Sequence, residues 1–170
     1  MIKLIALDVD GTLTNGQIVY SDSGLEIKCF NVKDGLALSS AMKLGYKIVF
    51  ITGRKSEIVK RRAKELGITE CYSGISNKVE ILEEICRKYD IGRDEIAFMG
   101  DDLNDYSAMK FSGLSGAPKD AATEILGIAK FISEKKGGEG AVRDFIEHIM
   151  KKEKLWEKVV ERYINIGGTN

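Results

Sequence analysis

The sequence predicts an α/β fold, a Rossmann-like doubly wound parallel sheet with a small β-hairpin flap. Short apolar runs alternate with helical patterns nearly throughout the chain, which is typical of right-handed βαβ units. Several of these runs are apolar at almost every position, as expected for parallel strands that are buried on both faces. At 170 residues the chain is long enough for one domain with a substantial core.

The elements follow in chain order. The predicted strands are Ile2–Leu7, Gln17–Ser21, Leu25–Phe30, Lys47–Ile51, Ile68–Tyr72, Glu95–Met99, Leu114–Ala117 and Lys130–Ile132. The predicted helices are Asp34–Leu44, Ser56–Leu66, Asn77–Tyr89, Asn104–Phe111, Asp120–Leu126, Gly140–Met150 and Lys151–Ile164. Gly45 and Gly67 follow the first two helices and predict their C-terminal caps. The segment Asp22-Ser23-Gly24 has turn chemistry, so the second and third strands are expected to form the hairpin.

One main α/β domain is predicted over residues 1–150, with the flap at about 17–30, followed by a C-terminal helical extension over 151–170. Apolar residues recur at helical spacing in the extension. We expect this helix to pack on its own domain, and contact with a neighbouring subunit is the alternative. Gly167–Asn170 is expected to be a frayed tail.

The composition argues against several classes of protein. Lys+Arg and Asp+Glu both number 26, which argues against a broad charged surface for nucleic acid or anionic lipid. The three cysteines are widely spaced and odd in number, which argues against a disulfide framework or zinc site and favours a reducing, cytoplasmic location. The apolar N-terminal run is too short for a signal peptide or a membrane span.

The strongest functional signal is the segment Asp8-Val9-Asp10-Gly11-Thr12, directly after the first predicted strand. In open α/β sheets, ligands bind at the carboxyl ends of the strands. Two carboxylates one residue apart can converge there on one point, and Gly11 allows the chain to turn and approach a ligand closely. The alternative interpretation is a polar turn with solvated acids.

Other polar residues follow the later strands. Thr52-Gly53-Arg54 comes directly after the predicted strand Lys47–Ile51, and Asp101 follows Gly100 after the strand Glu95–Met99. Lys78 lies near the start of a predicted helix. Taken alone, Lys78 could be a solvated surface lysine and Thr52 a turn residue. Because the carboxyl ends of parallel strands share one edge of the sheet, the set in this order predicts one organised site.

This ordered set resembles the haloacid dehalogenase superfamily of phosphotransferases. The resemblance implies that Asp8 is the nucleophile and Asp10 the general acid/base, while Thr52 and Lys78 bind the phosphate. It also implies a Mg²⁺ cofactor held by Asp8, Asp101 and the backbone carbonyl of Asp10. The segments between these motifs leave no room for the cap domain that most relatives carry, so a neighbouring subunit is expected to cover the site.

Further motifs resemble the 3-deoxy-D-manno-octulosonate 8-phosphate phosphatase family, whose members are capless, tetrameric and magnesium-dependent. They are Phe30-Asn31-Val32-Lys33-Asp34-Gly35, Thr52-Gly53-Arg54-Lys55 and Gly137-Gly138-Glu139-Gly140-Ala141-Val142-Arg143. This resemblance implies a homotetramer that acts on a sugar acid phosphate in lipopolysaccharide biosynthesis. The implied substrate-binding residues are Asp10, Asn31, Val32, Lys33, Asp34, Gly35, Gly53, Arg54, Arg62, Lys78 and Asn104.

Two positions depart from that family's pattern. The family usually has arginine where Lys33 stands and often another where Ser39 stands. Arginine clamps a carboxylate with two hydrogen bonds, whereas lysine offers a point charge. The substrate therefore stays open between the octulosonate 8-phosphate and a nonulosonate 9-phosphate of the sialic acid or KDN type. Arg54 favours the first, since a sister type acting on a nine-carbon acid has glutamate there. A non-catalytic oligomerisation module is a further alternative, against which the intact set of acids argues.

Overall fold

The computed structural model describes residues 1–165, so the predicted tail at Gly167–Asn170 lies outside the described residues. Its strands are β1 (Leu4–Leu7), β2 (Val19–Tyr20), β3 (Glu26–Ile27), β4 (Lys47–Thr52), β5 (Glu70–Ser73), β6 (Ile96–Met99), β7 (Leu114–Ala117) and β8 (Phe131–Ile132). Six of them form one sheet in the order β5-β4-β1-β6-β7-β8, and every pairing in it is parallel. The predicted fold class is confirmed.

The helices cover both faces of this sheet. They are α1 (Val32–Lys43), α2 (Glu57–Leu66), α3 (Lys78–Tyr89), α4 (Tyr106–Phe111), α5 (Thr123–Leu126), α6 (Ala141–Lys152) and α7 (Trp156–Ile164). Single 3₁₀ turns at Arg93–Glu95 and Leu103–Asp105 precede β6 and α4. Helix α1 begins earlier than predicted because Asn31 caps it, accepting a hydrogen bond from the backbone N–H of Lys33 at 2.9 Å.

The core is divided into two layers by the central strand. Along β1, Leu4 and Ala6 face one layer, whereas Ile5 and Leu7 face the other, and all four are fully buried. This alternation follows from the two-residue repeat of a strand. A strand with apolar side chains on both faces needs helices on both sides, which agrees with the position of β1 inside the sheet, between β4 and β6.

Helix α7 packs on its own domain, as the first of the two interpretations predicted. Leu155, Trp156 and Val159 join the core layer that α1 and α6 cover. The turn before α7 is held by Glu153, which accepts hydrogen bonds from the Tyr46 hydroxyl at 2.5 Å and the Ile2 backbone at 2.6 Å. The predicted boundary at residue 150 falls inside α6, and the division into domain and extension stays a prediction.

The hairpin β2–β3 lies between β1 and α1 in the chain, and its strands are shorter than predicted. Only two residue pairs form the ladder, Val19 with Ile27 and Tyr20 with Glu26. Beyond Ile27 the chain is held through the side chain of Lys28, which reaches Asp10. Residues 1–165 contain no separate cap domain beyond the hairpin. None of the helices in this range is long and apolar enough to cross a bilayer.

Candidate active site

The centre of the site is an ion pair at the carboxyl end of β1. Asp8 directly follows this strand and is 4% exposed. Its backbone N–H donates to the carbonyl of Met99 at 2.9 Å, which holds it between β1 and β6. Lys78, the first residue of α3, places its ammonium nitrogen 2.5 Å from Oδ1 of Asp8 and 2.6 Å from Oδ1 of Asp105. All three side chains are buried, so solvent screens these charges only weakly.

A second group of acids follows β6. Asp101 accepts a hydrogen bond at Oδ1 from the Thr12 hydroxyl at 3.1 Å. Asp105 uses its other oxygen, Oδ2, to accept from the backbone N–H groups of Asp101 at 3.0 Å and Asp102 at 3.3 Å. Asp105 therefore bridges Lys78 to the loop that carries Asp101.

The carboxyl groups at this centre, those of Asp8, Asp101 and Asp105, outnumber the single ammonium group of Lys78. Burial and the carboxylate of Asp105 raise the pKa of Asp8 well above its usual range, although Lys78 acts against them. Burial and Asp105 also raise the pKa of Asp101 to about 6, against the hydrogen bond from Thr12. Burial acts to lower the pKa of Lys78, but Asp8 and Asp105 outweigh it, so that pKa is raised. The arrangement favours binding of a further cation.

Three carboxylates are placed to receive such a cation. Oxygen atoms of Asp8, Asp101 and Asp105 all lie within 4.8 Å of one another. Both oxygens of Asp105 already accept hydrogen bonds, which leaves Asp8 and Asp101 as the side chains best able to bind an ion. The carbonyl of Asp10 accepts no backbone hydrogen bond from residues 1–165 and remains free for the same purpose. Hard anionic oxygens of this kind suit a divalent ion such as Mg²⁺.

Close backbone packing brings these elements together. Gly11 has φ +99°, and a Cβ there would lie only 2.0 Å from Oδ2 of Asp101. A Cβ on Gly137 would lie 1.8 Å from the carbonyl oxygen of Gly11. The next residue, Gly138, donates a backbone hydrogen bond to the carbonyl of Thr12 at 3.2 Å. The glycine-rich segment before α6 therefore supports the Asp8–Thr12 loop from behind.

The residues after β4 line the neighbouring part of the edge. Thr52 is buried at the end of this strand, and its hydroxyl accepts from the backbone N–H of Arg54 at 3.3 Å. The position of a Cβ on Gly53 would be 3.8 Å from the side-chain nitrogen of Asn104, so these two residues are neighbours. The guanidinium of Arg54 donates to the Tyr20 hydroxyl at 3.0 Å and to Glu26 at 3.3 Å. Arg54 thereby joins the site to the hairpin.

Most of the remaining predicted substrate residues lie along the start of α1, whereas Arg62 lies on α2. The side-chain amide of Asn31 donates to the carbonyl of Gly138 at 3.2 Å. Val32 and Lys33 are exposed, whereas Asp34 and Gly35 are buried. We find none of these within hydrogen-bond distance of the Asp8 or Asp101 side chains in residues 1–165.

Asp34 and Arg62 have structural contacts that the sequence did not predict. Oδ1 of Asp34 accepts from the backbone N–H of Arg143 at 2.8 Å, which ties α1 to the start of α6. The guanidinium of Arg62 packs against Gly35, where a Cβ would lie 2.6 Å from its nitrogen. Arg62 also lies 5.7 Å from the ring centroid of Phe30. A role for these residues in substrate binding stays a prediction.

Lys28 is a charged residue at the site that sequence reasoning missed. Its side chain is fully buried, donates a hydrogen bond to Oδ1 of Asp10 and lies 3.4 Å from Glu26. The available signal was the alternation in the hairpin, which puts Glu26 and Lys28 on one face of a strand. Two charges on the inner face of a flap suggest contacts with a charged site.

Comparisons with known proteins agree with this geometry. The model of the haloacid dehalogenase-like hydrolase family matches residues 69–146. The 3-deoxy-D-manno-octulosonate 8-phosphate phosphatase of Escherichia coli strain K12 is 38% identical over 149 residues, which cover 88% of this chain and 79% of that protein. This chain belongs to that phosphatase family. As a family member with the haloacid dehalogenase fold, it is a phosphoric monoester hydrolase.

Solved structures of the family have the same fold. The phosphatase from Moraxella catarrhalis, crystallised with a magnesium ion, a phosphate ion and a KDO molecule, matches with a TM-score of 0.93 and 38% identity, covering 95% of this chain and 93% of that one. The cobalt-bound deoxy-D-mannose-octulosonate 8-phosphate phosphatase from Haemophilus influenzae matches with a TM-score of 0.86 and 31% identity, covering 90% of each chain. Family members thus bind divalent metal ions with this fold.

Proposed function

We propose that this chain hydrolyses 3-deoxy-D-manno-octulosonate 8-phosphate with Mg²⁺, through a phosphoaspartate formed on Asp8. The observation that carries the proposal is the buried Asp8 carboxylate, fixed by Lys78 and facing Asp101, with a second acid at Asp10. The names of the relatives, 38% identical over most of the chain, support the choice of substrate.

In the first half of the reaction, a carboxylate oxygen of Asp8 attacks phosphorus as the bond to the sugar oxygen breaks. Lys78 holds Asp8 in place, and its ammonium group is the first proposed contact for an equatorial phosphoryl oxygen. The Thr52 hydroxyl, buried at the end of the neighbouring strand, is the second proposed phosphate contact. Mg²⁺, when bound by Asp8, Asp101 and the Asp10 carbonyl, neutralises the repulsion between carboxylate and phosphate.

The second carboxylate handles the protons. Asp10 gives a proton to the leaving sugar oxygen and later takes one from the water that hydrolyses the phosphoaspartate, which is general acid and then general base catalysis. Its Oδ2 is buried and has no hydrogen-bond partner among the described residues. An oxygen without a partner is available for this transfer.

Arg54 supports a sugar acid as the substrate. Its side chain is 42% exposed and is held at the edge of the site by Tyr20 and Glu26. A guanidinium in this position can bind the carboxylate or hydroxyls of a sugar acid whose phosphate lies at Asp8. The runner-up remains a nonulosonate 9-phosphate phosphatase, because Lys33 and Ser39 depart from the family pattern.

Phosphate release from a panel of sugar acid phosphates, with Mg²⁺ and with EDTA, tests the proposal. We expect the highest kcat/KM for the octulosonate 8-phosphate, no release with EDTA, and no release by an Asp8→Asn variant. A higher kcat/KM for the nonulosonate 9-phosphate would make it the assigned substrate in place of the octulosonate 8-phosphate. Unchanged release by Asp8→Asn would overturn the mechanism and favour the alternative that the chain is a non-catalytic oligomerisation module.

The proposal includes a cytoplasmic homotetramer. All three cysteines are unpaired, which suits a reducing compartment. The outer face of the hairpin exposes Val19 and Ile27, with Leu25 at the turn, and Ile27 is 52% exposed. An apolar strand face open to water favours contact with another copy of the chain. This contact would also bring a neighbour close to the uncapped site.

A further inference from the structure

Lys28 follows β3 directly, and its side chain is fully buried. Lysine side chains are almost never fully buried unless they are paired, because the ammonium group loses its hydration. The position of Lys28 therefore depends on the groups it meets. Those groups are the carboxylates of Asp10 and, at 3.4 Å, Glu26.

The contact with Asp10 uses one oxygen and leaves the other free. Lys28 donates to Oδ1 of Asp10, whereas Oδ2 is buried without a hydrogen-bond partner among residues 1–165. A carboxyl group that is fixed at one oxygen has a defined orientation for the other. This is the arrangement that proton transfer to a leaving group at a fixed place requires.

The same contact connects Asp10 to the hairpin. Glu26 lies between Lys28 and Arg54, at 3.4 Å from the first and 3.3 Å from the second. Glu26 pairs across the ladder with Tyr20, whose hydroxyl also contacts Arg54. The inner face of the hairpin thus carries a continuous polar network from the proposed acid/base to the proposed substrate contact.

We infer that Lys28 is a positioning residue for the proposed general acid/base. It holds Asp10 so that Oδ2 faces the leaving-group oxygen, and the hairpin supplies it from within the same chain. Lys28 acts through Asp10 and does not itself take part in bond making. The inference rests on the proposed function, since it concerns the step in which Asp10 gives its proton to the sugar oxygen as the bond to phosphorus breaks.

The alternative is that Lys28 only tethers the hairpin, and the leaving group distinguishes the two. A sugar alkoxide needs a proton from Asp10, whereas p-nitrophenolate leaves without one. For Lys28→Met we expect kcat/KM to fall at least about 50-fold with the octulosonate 8-phosphate and less than about threefold with p-nitrophenyl phosphate. The parameter kcat/KM reports steps up to departure of the leaving group, so later hydrolysis of the phosphoaspartate does not obscure the comparison.

Additivity provides a second readout. If Lys28 acts through Asp10, the double variant Asp10→Asn/Lys28→Met has the same kcat/KM with the sugar phosphate as Asp10→Asn alone. Lys28→Arg keeps the charge and should recover part of the selective loss. Lys3→Met is the matched control, because Lys3 pairs with Glu95 at 2.8 Å at the opposite end of the strands; it should leave both substrates unaffected.

The possible results separate this inference from the proposed function. Equal losses with both substrates, in Lys28→Met or, if that variant does not fold, in Lys28→Arg, would overturn the positioning role and leave the phosphatase intact. Additive losses in the double variant would do the same. A wild-type protein that hydrolyses neither substrate would overturn the proposed function itself, and the inference with it.

Discussion

The ammonium nitrogen of Lys78 lies 2.5 Å from Oδ1 of Asp8, and both side chains are buried at the carboxyl end of β1. The contact joins the first residue of α3 to the proposed nucleophile, 70 residues earlier in the chain. Because Lys78 also contacts Asp105 at 2.6 Å, one cation stabilises two buried carboxylates. Its removal should therefore affect both folding and catalysis.

For Lys78→Met we expect the free energy of unfolding to fall by about 3 kcal/mol, because two carboxylates are left buried without their cation. Activity towards the sugar phosphate should fall at least about 100-fold, since the proposed phosphate contact is also lost. Urea denaturation and steady-state kinetics measure the two effects. Lys60→Met removes an exposed pair with Glu57 on α2 and should change neither; a stable, active Lys78→Met protein would contradict the assignment.

Asp101→Asn should weaken metal binding. It removes one of two carboxylates that we propose to hold Mg²⁺, so the concentration for half-maximal activation should rise by more than about tenfold. Calorimetric titration with Mg²⁺ gives an independent measure that does not depend on turnover. Asp94→Asn, in the 3₁₀ turn before β6 at the other end of that strand, serves as the control. Equal Mg²⁺ affinity in wild type and Asp101→Asn would exclude this ligand.

Gly137→Ala should disturb the Asp8–Thr12 loop from behind. The added Cβ would lie 1.8 Å from the carbonyl oxygen of Gly11, a backbone atom that has no side-chain freedom to move away. We expect a loss of about 1–3 kcal/mol in the free energy of unfolding from overpacking. Displacement of the loop should also lower activity at least about tenfold.

Gly92→Ala is the matched control for this substitution. A Cβ on Gly92 would meet no atom within 4 Å, and its φ of −83° is open to any residue. Thermal melts and kinetics of the two alanine variants should therefore differ clearly. Similar behaviour of both would show that the segment around Gly137 adapts without moving the site.

Asp34→Asn should change how stability depends on pH. Asp34 is 2% exposed, and burial raises its pKa to about 6, against the hydrogen bond from Arg143. Because the folded state holds this proton more tightly than the unfolded state, the wild-type protein loses stability as the pH rises from about 4 to about 6. Asparagine cannot ionise, so it removes this loss.

The expected size is a relative gain for Asp34→Asn of about 1.4 kcal/mol between pH 5 and pH 7.5. Denaturant unfolding of both proteins at the two pH values measures it, and the difference between them cancels the other titrating groups. Asp22→Asn, at an exposed position in the hairpin turn, should follow the wild-type curve. Parallel curves for Asp34→Asn and wild type would mean that the buried carboxyl does not titrate in this range.

Ile27→Glu tests the proposed tetramer. Ile27 and its cross-strand partner Val19 share the outer face of the hairpin, and both are exposed. A charge in the middle of an apolar contact should lower the mass in light scattering from a tetramer to a smaller species. Ser23→Glu, in the exposed turn beyond this face, should keep the wild-type mass. A fully active wild-type monomer would rule out the proposed tetramer.

The sheet and the ends of its strands could be predicted because they depend on local patterns. Apolar runs that are continuous over four or more residues indicate parallel strands, and the polar residue that follows each run must lie at a common edge. That reasoning predicted a shared location for Asp8, Thr52 and Asp101, and the structure brings Asp8 and Asp101 together with Lys78. Their catalytic roles remain predictions.

The partners of Lys28 and Asp34 could not be predicted in this way. Lys28 contacts Asp10 across 18 residues, and Asp34 contacts the backbone of Arg143 across 109. A side chain's partner depends on the distance and angle between elements, which leave no periodic trace in the sequence. The sequence alone determined the fold and which strand ends carry the acids, because hydrophobic periodicity encodes both. Only the tertiary structure decided which buried charges meet, because each one needs a compensating partner that packing brings from a distant part of the chain.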